Sequence, residues 1–185
     1  MLTKNKGFTL IELLIVIAII GILSSLLIPN VLTALQKTHQ KSTMRDIATI
    51  ATASVNYITE HGNWNGATQN GPITPQNDFV LAISPFFVKT FTITDHWGTS
   101  FDAYVGKDAV ENAVAGIPAG EVAGDDFIIA SRGRDGQEGP TYTTYDPANP
   151  DASIYPVLRM ADFDEDLVNW NGSWIIAPRV SKPSS

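Results

Sequence analysis

Apolar positions fall into two regimes along this chain. Between residues 8 and 28 they run almost unbroken, FTLIELLIVIAIIGILSSLLI, with Glu12 as the only charge. A helix of this length spans about 30 Å, the thickness of a bilayer core. After Pro29 the pattern becomes periodic. Val31, Leu35, Met44, Ile47, Ala51, Val55 and Ile58 recur mostly at spacings of three and four, with Lys37, Lys41, Arg45 and Asp46 between them. The helix therefore continues amphipathically to about residues 57–61. Gly21 and Pro29 both weaken it, the first through backbone entropy and the second by removing a donor.

Helical period then disappears. Residues 61–78 are rich in glycine, asparagine and proline and read as a surface loop, and residues 79–88 read as a brief helix broken by Pro85. Strand-like runs follow at 89–94, 100–106 and 126–131, and residues 112–126 read as a small-residue loop. The expected architecture is α+β: a ladle whose long N-terminal helix, membrane-embedded in its first half, packs on a small antiparallel sheet of three or four strands. The segments are 1–7 as a leader, 8–29 as the membrane part of the helix, 30–61 as its amphipathic continuation and 62–185 as a globular sheet domain.

Composition adds direction. The formal net charge of −7 gives no basis for non-specific binding of nucleic acid, so a bound cation would be a metal ion. There are no cysteines, so neither disulfides nor thiolate metal sites hold the fold. The leading MLTKNKG carries Lys4 and Lys6 and no acid, which places the N-terminus in the cytoplasm and the remainder outside. The apolar run is also longer than the core of a cleaved secretory signal.

Glu12 is the informative residue, because a carboxylate in an apolar helix is costly unless it finds a partner. Gly7-Phe8-Thr9-Leu10-Ile11-Glu12, followed by LLIVIAIIGILSSLLIPN, resembles the leader and N-terminal helix of type IV pilins and type II secretion pseudopilins. The resemblance implies that a prepilin peptidase cuts between Gly7 and Phe8 and methylates the new Phe8 amine. It also implies that Glu12 neutralises the Phe8 ammonium of a neighbouring subunit in a helical homopolymer. Such a subunit is drawn from the bacterial inner membrane by an assembly platform, together with minor pseudopilins.

Two polar segments bear on which filament this is. Residues 131–139, SRGRDGQEG, follow a strand and hold three glycines, and residues 162–166, DFDED, hold four carboxylates in five positions. Concentrated carboxylates with carbonyl-rich turns suit calcium, a hard ion taking six to eight oxygens. Together with Asp95-His96-Trp97-Gly98, Tyr104 and Asp164-Glu165-Asp166-Leu167-Val168-Asn169-Trp170, they resemble the major pseudopilin of type II secretion systems. That resemblance implies a calcium site with Asp135, Asp164 and Asp166 as side-chain ligands, and with oxygens from Arg132 and Gln137. The sequence departs from the family in the insertion at 140–161 and in the tail after Trp170.

The expected function is a structural subunit of a type II secretion pseudopilus that assists export of folded proteins. The alternatives are a type IV pilus subunit serving adhesion, motility or DNA uptake, and a membrane-anchored periplasmic binding module that never polymerises. No phosphate-binding loop or nucleophile elbow occurs, so the chain reads as non-enzymatic. His39, His61 and His96 lack zinc-site spacing and read as packing residues, as do Trp64, Trp97, Trp170 and Trp174. Arg132 and Arg134 read as a small basic spot open to neighbouring subunits.

Overall fold

A computed structural model describes residues 7–114, 116–118, 120–138 and 145–179. The leader residues 1–6 with Lys4 and Lys6, Gly139, the first part of the insertion and the tail 180–185 lie outside the described residues. The chain divides into two compact units, Met1–Lys37 and Thr38–Ser185, each treated by itself below. Helix α1, Leu10–His61, contributes to both.

In the first unit, α1 exposes its large apolar side chains from Leu10 to Leu35, and it is long and apolar enough to cross a membrane. Pro29 sits inside the helix and removes the donor that would bond the Ser25 carbonyl. Polar side chains here turn back onto the helix. Ser25 Oγ donates to the Ile22 carbonyl at 2.7 Å and Thr33 Oγ1 to the Pro29 carbonyl at 3.0 Å. Such bonds let hydroxyls sit in an apolar segment without unmet polar groups.

In the second unit, the rest of α1 buries Ile47, Ile50, Ala51, Ser54 and Tyr57, the stripe expected from a 3.6-residue period. That stripe packs with Phe79, Ile83, Phe101, Phe127, Ile129 and Leu167 in one core. Fully burying side chains of this size stabilises by about 1.5–3 kcal/mol each. Among the described residues the six strands are β1 Gln69–Pro72, β2 Asp102–Val105, β3 Phe127–Ser131, β4 Ile154–Tyr155, β5 Leu167–Trp170 and β6 Ser173–Pro178, in spatial order β1-β2-β3-β5-β6-β4. All neighbours are antiparallel except β4 and β6, which run parallel. A second core on the opposite face gathers Tyr104, Val110, Ile128, Ala130, Val168 and Ile176. β3 is therefore apolar on both faces, which explains its unbroken run of buried residues.

The α+β class and the course of the long helix follow the sequence reading, while several local expectations are corrected. The sheet is larger than three or four strands, and its one parallel pair comes from the insertion. Residues 89–94 form no strand; Thr94 makes an isolated bridge to Ser100 and the Ile93 carbonyl accepts the Phe101 amide, while β2 is already paired on both edges by β1 and β3. The loop expected at 61–78 contains β1, and residues 107–113 form helix α3, Lys107–Ala113, which buries Val110. The brief helix before Pro85 is present as α2, Asp78–Ile83. β5 and β6 close through Asn171 and Gly172, both at positive φ (49° and 87°), as a two-residue hairpin requires.

Candidate functional site

Phe8 and Gly7 precede the helix and are exposed, which leaves the expected cleavage point accessible. Thr9 stands just ahead of the first helical residue, and Glu12 lies three positions on. Thr9 Oγ1 donates to Glu12 Oε2 at 2.7 Å, the Thr9 amide donates to the same oxygen at 2.9 Å, and the Glu12 amide donates to Thr9 Oγ1 at 3.3 Å. This is a capping box: a hydroxyl and a carboxylate satisfy each other's orphan amides at the helix start. Its consequence is positional, since the carboxylate is held on the Thr9 amide, at the residue that follows Phe8. Thr9 was missed on sequence, although the T-x-x-E spacing carries the signal.

The second candidate region lies after β3. The structure brings the loop 131–138 against residues 162–166. The Arg134 amide donates to the Phe163 carbonyl at 2.8 Å. Gly133, at φ +63°, approaches so closely that a Cβ there would stand 2.7 Å from the carbonyl oxygens of Asp164 and Glu165. Asp164 receives Arg134 in a two-point fork, Nε to Oδ1 at 2.7 Å and Nη2 to Oδ2 at 2.8 Å. The carboxylate partner holds the Arg134 guanidinium more firmly protonated than usual. Asp135 Oδ1 accepts the amide of Gln137 at 2.9 Å, and Asp166 is fully buried. Among the described residues, no three His, Asp or Glu side chains are grouped to hold a metal ion.

Arg132 and Arg134 are thus committed within the chain. Arg132 reaches the fully buried Asp102 on β2, Nε to Oδ2 at 2.7 Å and Nη2 to Oδ1 at 3.2 Å. Burial pushes the Asp102 carboxyl up, and the bonds from Arg132 oppose that push. Asp95 lies alongside, accepting Ser131 Oγ at 2.8 Å. Asp162 accepts the amides of Leu158 and Arg159, both at 2.7 Å, and these backbone bonds hold its carboxyl below the usual range.

The insertion supplies one further anchor. The Tyr155 hydroxyl accepts from Gln40 Nε2 on α1 at 3.4 Å and lies 3.4 and 3.3 Å from the carbonyl oxygens of Glu165 and Asp166. Burial, followed by the nearby Glu165 and Asp166 charges, pushes the Tyr155 hydroxyl far up, so it stays protonated. The histidines pack: His61 stacks on Tyr57 at 4.4 Å, His39 lies 6.2 Å from His96, and His96 Nε2 meets Asp46 at 3.0 Å. Trp64 and Trp170 are anchored through their indole N–H groups to the Asp125 carbonyl and the Asp126 carboxylate.

Comparison with known proteins agrees with the N-terminal geometry. The family described as "Prokaryotic N-terminal methylation motif" matches residues 2–28. The type IV major pilin protein PilA of Myxococcus xanthus is 37% identical over 62 residues, which span 34% of this chain and 28% of that protein. Core protein G of the type II secretion system is 25% identical over 130 residues in Escherichia coli, 68% of this chain and 90% of that protein. In Dickeya chrysanthemi the identity is 24% over 168 residues, 91% and 88%. No solved structure matches this chain. With a match to the prepilin methylation motif, an exposed apolar first half of its long helix and an α+β domain, the chain resembles type IV pilin-like proteins. Its similarity to core protein G, the major pseudopilin, runs through the globular domain as well as the helix.

Proposed function

We propose that the chain is a structural subunit of a type II secretion pseudopilus. It would be anchored once in the inner membrane, N-terminus inside and globular domain outside, and then assembled into a helical homopolymer that assists export of folded proteins. One observation carries this reading. The exposed apolar stretch of α1 from Leu10 to Leu35 holds a single carboxylate, Glu12, bonded to Thr9, the residue that follows the Phe8 that would carry a free amine after cleavage at Gly7. In an assembled filament both charges leave water, and their pairing fixes the register between neighbours. Apolar helices supply the contact area, and a head-to-tail contact that does not close makes an open polymer. A prepilin peptidase, an assembly platform and minor pseudopilins are the partners this route requires.

A type IV pilus subunit is the second reading, supported by the 37% identity to the Myxococcus pilin over 62 residues. The similarity to core protein G across the domain favours secretion. Replacing Glu12 by Val separates both readings from a monomeric anchor. Loss of filaments with membrane insertion retained is expected, and unchanged behaviour would sink the polymer. Deleting the gene then decides the machine: a block in release of exported enzymes is the secretion outcome, and loss of surface fibres alone is the pilus outcome.

A further inference from the structure

The resemblance to major pseudopilins would put calcium between the loop after β3 and residues 162–166, and one of the three side chains expected to hold that ion is already taken. Asp164, a central expected ligand, gives both of its oxygens to the guanidinium of Arg134. A divalent cation on the same carboxylate would face that positive charge at contact distance. Asp135 turns to its own loop through the Gln137 amide, and Asp162 is engaged by the amides of Leu158 and Arg159. The loop's other arginine, Arg132, is fixed on Asp102.

The two segments are nonetheless held as a bound cation would hold them. Arg134 binds the acidic stretch twice, by its side chain to Asp164 and by its amide to the Phe163 carbonyl. Gly133 lets the backbones close on one another. A planar guanidinium offers a carboxylate two parallel bonds, a geometry that an ammonium cannot reproduce.

We propose that Arg134 is a built-in cation, tying the loop after β3 to the acidic stretch in place of a calcium ion. The fold of the globular domain is then independent of the calcium concentration around it. This concerns the domain's stability and stands apart from whether the chain polymerises.

The test uses the full chain in detergent micelles, following thermal unfolding by tryptophan fluorescence. Wild type is melted in excess chelator, in millimolar calcium, and in sodium chloride at matched ionic strength. Equal midpoints in all three are expected. A midpoint raised by calcium several degrees above the salt control overturns the proposal, because a ligand that binds only the folded state must stabilise it. Arg134→Gln and Asp164→Asn are each expected to lower the midpoint by about 3 °C, as loss of one well-formed ion pair does in a chain of this size. The double variant should fall no further than the worse single one, whereas simple additivity would show that the two groups do not act together. Arg134→Lys should recover only part of the loss; full recovery would remove the role of the fork. The wild-type comparison needs no variant, so a variant that fails to fold leaves the test intact.

Discussion

The hydroxyl of Thr9 and the carboxylate of Glu12 are bonded across the first turn of the long helix, Oγ1 to Oε2, at 2.7 Å. Glu12 is therefore a fixed charge, held on Thr9, the residue that follows Phe8. In the unassembled chain the carboxylate serves the amide of Thr9. In the proposed filament the same lone pairs would serve a neighbour's Phe8 ammonium, with little rearrangement of the Glu12 side chain.

Replacing Thr9 by Val, which keeps the branched shape and deletes the hydroxyl, should leave membrane insertion unchanged and reduce filament yield. The loss should be smaller than for Glu12→Val, and Thr9→Ser should restore assembly because it restores the cap. Membrane fractionation and pelleting of sheared filaments measure the two effects separately. Equal filament yield for Thr9→Val and wild type would show that the box does not position Glu12.

Gly133 and Gly120 provide a matched pair. Gly133 has φ +63°, and its position faces two backbone carbonyls at 2.7 Å, whereas a Cβ at Gly120 would meet nothing within 4 Å. Gly133→Ala should destabilise by about 2 kcal/mol or more, from left-handed backbone cost and from forcing the two segments apart. Gly120→Ala should be close to neutral. Chemical denaturation of the two variants decides the point, and similar midpoints would contradict the close approach.

Much of the fold was legible because it is local and periodic. The stripe Ile47, Ile50, Ser54 and Tyr57 sits where a helix of 3.6 residues per turn puts it, and β3 is apolar from Phe127 to Ala130 because both of its faces are covered. The hairpin at Asn171 and Gly172 is also written in the sequence, since an Asn-Gly pair between strands favours positive φ at both residues. β1, with the sequence QNGP, was not legible. It is a strand only because β2 offers it a free edge, where Pro72 costs little. The fork from Arg134 to Asp164 joins residues thirty apart, and no local pattern announces which carboxylate an arginine will reach.

Asp102 and Arg132 form a pair in which one member is wholly buried, its side chain 0% exposed against 26% for Arg132. Removing the arginine leaves a carboxylate without its cation, so Arg132→Met should destabilise by about 3 kcal/mol near neutral pH. The companion change Asp102→Asn should recover part of that loss, because no charge is then stranded. The cost of Arg132→Met should also shrink as pH falls, since burial already raises the Asp102 carboxyl and protonation removes the stranded charge. Denaturant unfolding of the single and double variants at two pH values checks all three expectations.

Asp162 gives the opposite pH sign. Its carboxylate accepts two backbone amides at 2.7 Å, which lowers its pKa below the ordinary value of 3.8. A carboxyl bound less tightly to its proton in the folded state than in the unfolded one contributes stability above the unfolded value, and that stability is lost as pH falls through the folded value. The turn Met160–Phe163, which the amide bonds to Asp162 close, should therefore loosen below about pH 4, taking with it the Phe163 side chain, which is fully buried in the core. Asp162→Asn keeps an acceptor without the titration. It should be less stable than wild type at pH 6 and should show a shallower fall in melting temperature between there and pH 3. Parallel slopes for the two proteins would mean that the two amide bonds do not depend on the charge of Asp162.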